Sequence, residues 1–174
     1  MIYGLILITF LTIAIIYNKF IKLHQKVKTA WSDIGVYITK RHELIPNLVE
    51  TVKGYMDHEK KTLESIVEKR AGSIAHDVQL QNKLTHSIKK IFLLAENYPD
   101  LKANDSFYQL HLSLIDIEDD VTDARRYFNA VVRDYNNLVE SFPTNLIGKI
   151  FGFETIEYLE TQHSKPIEVN LSES

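Results

Sequence analysis

Five carboxylates crowd into residues 116–123: Asp116, Glu118, Asp119, Asp120 and Asp123. Such a density of hard oxygen donors could hold a divalent cation or meet a basic partner. The plainer account is a solvated helix face answered by Arg125, Arg126 and neighbouring lysines, and that is the account adopted for this stretch. Other arrangements fail on spacing. A phosphate-binding loop ending in Gly148-Lys149 requires glycine at position 143, where Pro143 stands, and neither G-x-G-x-x-G nor G-x-S-x-G occurs. A di-iron bundle requires two Glu-x-x-His pairs facing a core, whereas the single match, Glu160 to His163, falls in a polar C-terminal stretch. His42-Glu43 and His58-Glu59 each lack the second histidine of a zinc-protease string. With no cysteine there is no disulfide, thiolate metal site or cysteine nucleophile. The residues therefore name no catalytic, cofactor-binding or metal-ligating group and no cofactor, and a non-enzyme is expected. One place for an enzyme or metal site remains, the polar, proline-fixed stretch Tyr98 to Asn104. Loops between helices share that composition for structural reasons.

Three further side chains invite a role. Trp31, the sole tryptophan, lies on an apolar stripe and is expected in the core. Arg41 and Glu59 occupy positions on the same stripe, and either one, if buried, requires an oppositely charged partner on a facing helix.

The elements that would carry these groups are helical. Ile2 to Tyr17 form an unbroken apolar run, and Met1 to Asn18 carry no charged side chain. As a helix this reaches ~27 Å, just short of a ~30 Å hydrocarbon core, so residues 1–18 are read as a transmembrane anchor. Lys19, Lys22, Lys26 and Lys28 follow before the first acid, Asp33. Basic residues come after the apolar run and no small-residue cleavage site follows, which argues for a retained anchor over a secretory signal. The lysine collar predicts a single-pass protein of the cell membrane, N-terminus outside and the remainder cytoplasmic. Tyr3, Tyr17 and Phe20 sit where interfacial aromatics would. The net charge of −3 gives no pull toward nucleic acid.

Beyond the anchor, Val27, Trp31, Ile34, Ile38, Ile45, Leu48, Val52, Tyr55, Leu63 and Ile66 recur at steps of three and four. Pro46 interrupts the helical hydrogen bonding there, predicting a kink near Ile45 or two abutting helices. Leu80, Leu84, Ile88, Ile91 and Ala95 mark a second helix over 77–97, stopped by Tyr98-Pro99-Asp100. A third runs from a cap at Asn104 or Asp105, through Phe107, Leu114, Val121, Phe128 and Tyr135, to Phe142 and Pro143. A helix of that length with one apolar stripe needs partners along its whole length. The fold class expected is all-α: a transmembrane helix, then a long antiparallel bundle of three to four helices over residues 19–153. The segment 146–153 is amphipathic and either caps the bundle end or touches membrane or a partner. From 154 to 174 a polar, loosely ordered tail is expected.

Three stretches resemble the LemA family of bacterial membrane proteins: Arg41 to Tyr55 (Arg-His-Glu-Leu-Ile-Pro-Asn-Leu-Val-Glu-Thr-Val-Lys-Gly-Tyr), Tyr98 to Asn104 (Tyr-Pro-Asp-Leu-Lys-Ala-Asn), and Tyr127-Phe128-Asn129 through Tyr135-Asn136 to Phe142-Pro143. Their order and spacing match, and with the anchor the likeness spans residues 1 to about 155. Phe128 stands where the family often has tyrosine. The resemblance implies a single-span protein with a mostly cytoplasmic helical bundle, and supplies no activity or catalytic residues. The residues favour an adaptor or scaffold that contacts lipid through its first helix and a protein partner through the bundle. The alternative is a self-assembling, membrane-organising protein.

Overall fold

The computed structural model describes residues 2–56, 60–72 and 78–159. Within them the chain is helical: α1 (Ile2–Lys53), α2 (Lys60–Gly72), α3 (Val78–Ala95), α4 (Pro99–Lys102), α5 (Asp105–Glu140) and α6 (Thr144–Phe151). Helices α1 and α5 lie side by side along most of their length, while α2, α3 and α4 close over the end of α1 distant from its N-terminus.

α1 is 52 residues long and runs uninterrupted from the apolar segment into the bundle. Its first part buries almost nothing: Ile2, Leu5, Ile8, Phe10 and Ile15 are all more than 60% exposed. That much apolar surface is stable only in lipid, and α1 is, among the described residues, the one helix long and apolar enough to span a membrane. From Phe20 onward the same helix develops a buried stripe.

Pro46 lies inside α1 without ending it. Lacking an N–H, it cannot bond the His42 carbonyl four residues back. Arg70 of α2 supplies the missing donor, its Nε–H bonding the His42 oxygen at 2.8 Å. Of the two outcomes expected at Ile45, abutting helices are excluded, because α1 continues through Pro46 as one helix to Lys53.

The stripes predicted from spacing form the core, in two clusters. One joins Ile45, Leu48, Val52 and Met56 of the α1 end to Leu63 and Ile66, to Leu84, Ile88 and Ile91, and to Phe107 and Leu114. The other joins Phe20, Val27, Ile34 and Ile38 to Val121, Phe128, Val132, Tyr135 and Leu138. Tyr55 and Phe142 depart from expectation: they are 39% and 80% exposed. Tyr55 instead accepts a bond at its hydroxyl from Asn104. Phe142 lies past the last turn of α5, where the seven-residue register no longer applies.

Asn104 caps α5, its Oδ1 accepting the Phe107 N–H at 3.0 Å, so of the two expected caps Asn104 is the one used. At the other end the chain turns through Phe142-Pro143 into α6, which stops at Gly152. That residue has φ +73°, a left-handed conformation open to glycine, and the Phe153 N–H closes back on the Gly148 carbonyl at 2.9 Å.

Residues 154–159 differ from the loose tail expected there. They run extended along α5, clamped by two side-chain amides. Asn136 both donates to and accepts from the backbone of Ile156, at 2.8 and 2.9 Å, and Asn129 does the same with Leu159, at 2.9 and 2.8 Å. The spacing is geometric: seven helical residues advance ~10.5 Å and three extended residues ~10 Å, so asparagines two turns apart meet every third strap residue. The rest of the expected tail, 160–174, lies outside the described residues. Asn136→Ala is expected to destabilise the bundle by about 2 kcal/mol, for two bonds at about 1 kcal/mol each, and to speed amide exchange at Ile156 selectively.

Candidate functional site

Between the two core clusters sits a polar layer centred on Arg41. Arg41 falls on the heptad line Phe20, Val27, Ile34, Leu48, so its side chain enters the core by register alone. It is 1% exposed. Its partners come from two other helices. Nη1 bonds Glu118 Oε2 of α5 at 2.7 Å and Thr85 Oγ1 of α3 at 2.8 Å, and Nη2 bonds Gln81 Oε1. The Thr85 hydroxyl also lies 3.1 Å from Glu118 Oε2. One guanidinium thus ties α1, α3 and α5 together at a single level.

Burial lowers the Arg41 pKa, and the Glu118 charge and its hydrogen bond pull it back up. Arg125, about two turns beyond Glu118 along α5, is lowered by burial and by Arg41, and raised by Glu118. Two cations therefore share one carboxylate. His42 is also lowered, first by burial, then by Arg41 and Arg70. A histidine whose folded pKa lies below its unfolded value of about 6.5 binds protons more readily unfolded. Its contribution is complete above pH about 6.5 and shrinks as pH falls toward the folded pKa. The protein is expected to lose stability from pH 7 to 5, and His42→Gln should flatten that slope in thermal melts.

The acidic run is split by this arrangement. Glu118 turns inward to Arg41, whereas Asp123 pairs with Arg126 at 3.2 Å on the surface. Among the described residues no three His, Asp or Glu side chains converge as a metal site would require. Glu59, His58, Glu160 and His163 lie outside the described residues. Trp31 is half-buried against Phe128, ring centroids 5.2 Å apart, on the core face where it was expected. The stretch Tyr98 to Asn104 is α4 and its two flanking caps: Leu101 is fully buried, and Asn104 is engaged as the α5 cap. Lys102 pairs with Glu96, and the Asn104 amide also donates to the Tyr55 hydroxyl.

Beside the Arg41 layer an open groove of about 540 Å³ separates α3 from α5. Ile88, Phe92 and Leu114 make its apolar lining, and Phe92 stacks on His111 with centroids 4.0 Å apart. Arg41 and Glu118 close one side. Its edge carries Asp119, Lys89 and Glu96, the last held in an ion pair by Lys102, and Leu93 stands 73% exposed beside it. An open apolar trough of this kind suits an amphipathic helix by shape. Sequence reasoning expected a partner for Arg41 but did not identify Glu118, whose place one turn after Leu114 was the available signal. The groove had no signal, since it arises where α3 and α5 stand apart.

The family model described as the LemA family matches residues 30–171. Among curated proteins, magnetosome protein MamQ of Magnetospirillum gryphiswaldense is 24% identical over 192 residues, covering 92% of this chain and 70% of that protein. Protein LemA of Metamycoplasma hominis is 23% identical over 181 residues, covering 97% and 83%. Magnetosome protein MamQ 2 of Paramagnetospirillum magneticum is 21% identical over 180 residues, covering 86% and 66%.

Proposed function

The chain belongs to the LemA family, and from that premise we propose that it is a non-enzymatic scaffold tethered to the cytoplasmic face of the cell membrane, docking an amphipathic helix of a protein partner in the groove between α3 and α5. The observation that carries this reading is the one-piece helix α1. An anchor joined to its domain without a linker makes the bundle move with the span as one rod, and the groove with it. The exposed Leu93 offers apolar area, and Lys89 and Asp119 at the rim offer polar contacts of both signs. Relatives carrying the magnetosome name favour a part played alongside other proteins. The lysine collar, Lys19 to Lys28, supports the cytoplasmic orientation. Because the chain has no cysteine, a single one introduced at Ser174 reports the side directly: it should label only after cells are broken.

The docking itself is tested by placing a photo-crosslinking amino acid at Leu93 and, as control, at Tyr127, which is 53% exposed on the other half of α5. Irradiated native membranes should give a discrete adduct from position 93 alone, with the same partner identified by mass spectrometry in repeated preparations. Equal adducts at both positions would defeat the reading. An adduct at twice the 20.2 kDa chain mass would favour the self-assembling alternative.

A further inference from the structure

Helix α6 presents two faces of opposite use. Its inner face is spent on α1: Gly148 is buried, and a Cβ there would come within 3.3 Å of the Phe20 ring. Phe153 stacks on Phe20 with centroids 4.5 Å apart and planes 3° from parallel, and Phe151 meets Tyr17 at 4.9 Å. Those contacts fix the height of α6 along α1. It sits at residues 17–20, where the uncharged run ends and Lys19 and Lys22 begin. Its outer face is apolar and uncovered. Leu146 is 54% exposed, Ile150 77% and Phe151 50%, the first two four residues apart, and Phe142, just before the helix, is 80% exposed.

We propose that this outer face lies in the headgroup and upper acyl region of the bilayer that α1 crosses, making α6 a second, in-plane membrane contact. Continuity decides the occupant. The exposed face of α6 adjoins the exposed apolar side chains that end at Tyr17, so a bilayer around the span reaches α6 without any rearrangement. An amphipathic helix in that zone buries its apolar face about 5–10 Å below the headgroups. Charge agrees with this placement. Lys19, Lys22 and Lys149 are exposed at the same level, where they meet anionic headgroups. A single span leaves a rod free to tilt and to spin about its axis. A second contact off that axis restrains both, and so fixes which way the groove between α3 and α5 faces.

The test uses the full chain with Trp31→Phe, reconstituted into phosphatidylcholine and phosphatidylglycerol vesicles that carry acyl-chain bromine near the headgroup. Single tryptophans are placed at Leu146, at Ile150 and, as a distant control, at Tyr108, with circular dichroism confirming native helix content. Leu146→Trp and Ile150→Trp should be quenched at least two-fold more than Tyr108→Trp, with blue-shifted emission. Quenching no greater than at position 108 would overturn the proposal, whether emission stays red, as for a solvent-exposed face, or shifts blue with protein concentration, as for a face covered by a second copy. Spin labels on Leu146→Cys and Ile150→Cys give an independent reading. Accessibility to oxygen must exceed accessibility to a water-soluble nickel complex, and the reverse order would equally overturn it.

Discussion

Glu118→Ala is expected to destabilise the bundle by about 3 kcal/mol, the low end for breaking a buried pair from one side. The low end applies because the Glu118 side chain is 29% exposed, while that of Arg41 is 2% exposed. The loss comes from what is left behind. Arg41 keeps its bonds to Thr85 and Gln81 but loses the one ion-pair partner it has among the described residues. The companion variant separates this penalty from the worth of the pair. Replacing both partners, Arg41→Met with Glu118→Gln, removes the stranded charge and leaves an amide able to bond Thr85, so it should be less destabilised than Glu118→Ala alone. Chemical denaturation of the full chain in detergent micelles, followed by circular dichroism, measures both. If the double variant proved the weaker, the Arg41 layer would be a net source of stability. If the order is as expected, the layer acts chiefly as a register mark. One polar group on a heptad line fixes how two long helices align, because sliding α1 by a heptad against α5 would set Arg41 opposite His111 or Arg125 in place of Glu118.

The second large effect is expected at Phe20. It is fully buried, stacked on Phe153, edge-on to Tyr135 at 6.3 Å and against Gly148, so Phe20→Ala removes the piece that α5, α6 and Phe153 all touch. Large-to-small changes of this kind cost about 3–5 kcal/mol. Loss of α6 docking should appear separately, as faster hydrogen exchange over residues 144–159, with the α2 and α3 end unchanged. Ile150→Ala provides the contrast: its side chain is 77% exposed, and in micelles it should change stability by less than about 0.5 kcal/mol.

Which features could be read from the chain follows from how far each reaches. Spacing at three and four residues reported the burial of Val27, Ile34, Ile38, Leu84, Ile91, Leu114 and Val121, because a helix's own geometry sets which side chains share a face. The requirement that Arg41 find a partner was equally local, since a charge on an apolar stripe has few other fates. The identity of that partner depended on how α1 and α5 align, a long-range fact with no single-residue signal. Pro46 is the same lesson. A proline can be read as a break, but its repair by Arg70 needs a residue 24 positions later in another helix. Asn129 and Asn136 were visible as part of a family string, and their seven-residue spacing was a usable signal. Their work as clamps depends on the strap arriving beside them, so polar residues after Glu154 looked like tail. The outer face of α6 was legible as amphipathic, and its height along α1 was not.

Everything proposed for the groove and for α6 depends on the anchor and the bundle sharing one unbroken helix. Electron–electron distance measurement between spin labels at Thr9→Cys, within the apolar run, and Ser32→Cys, beyond the lysine collar, reports that continuity in vesicles. A continuous helix places the two sites roughly 35 Å apart, at 1.5 Å per residue, in a single narrow distribution. A broad distribution, or one centred well below that distance, would mean a hinge between membrane and bundle, and would contradict the rigid tether.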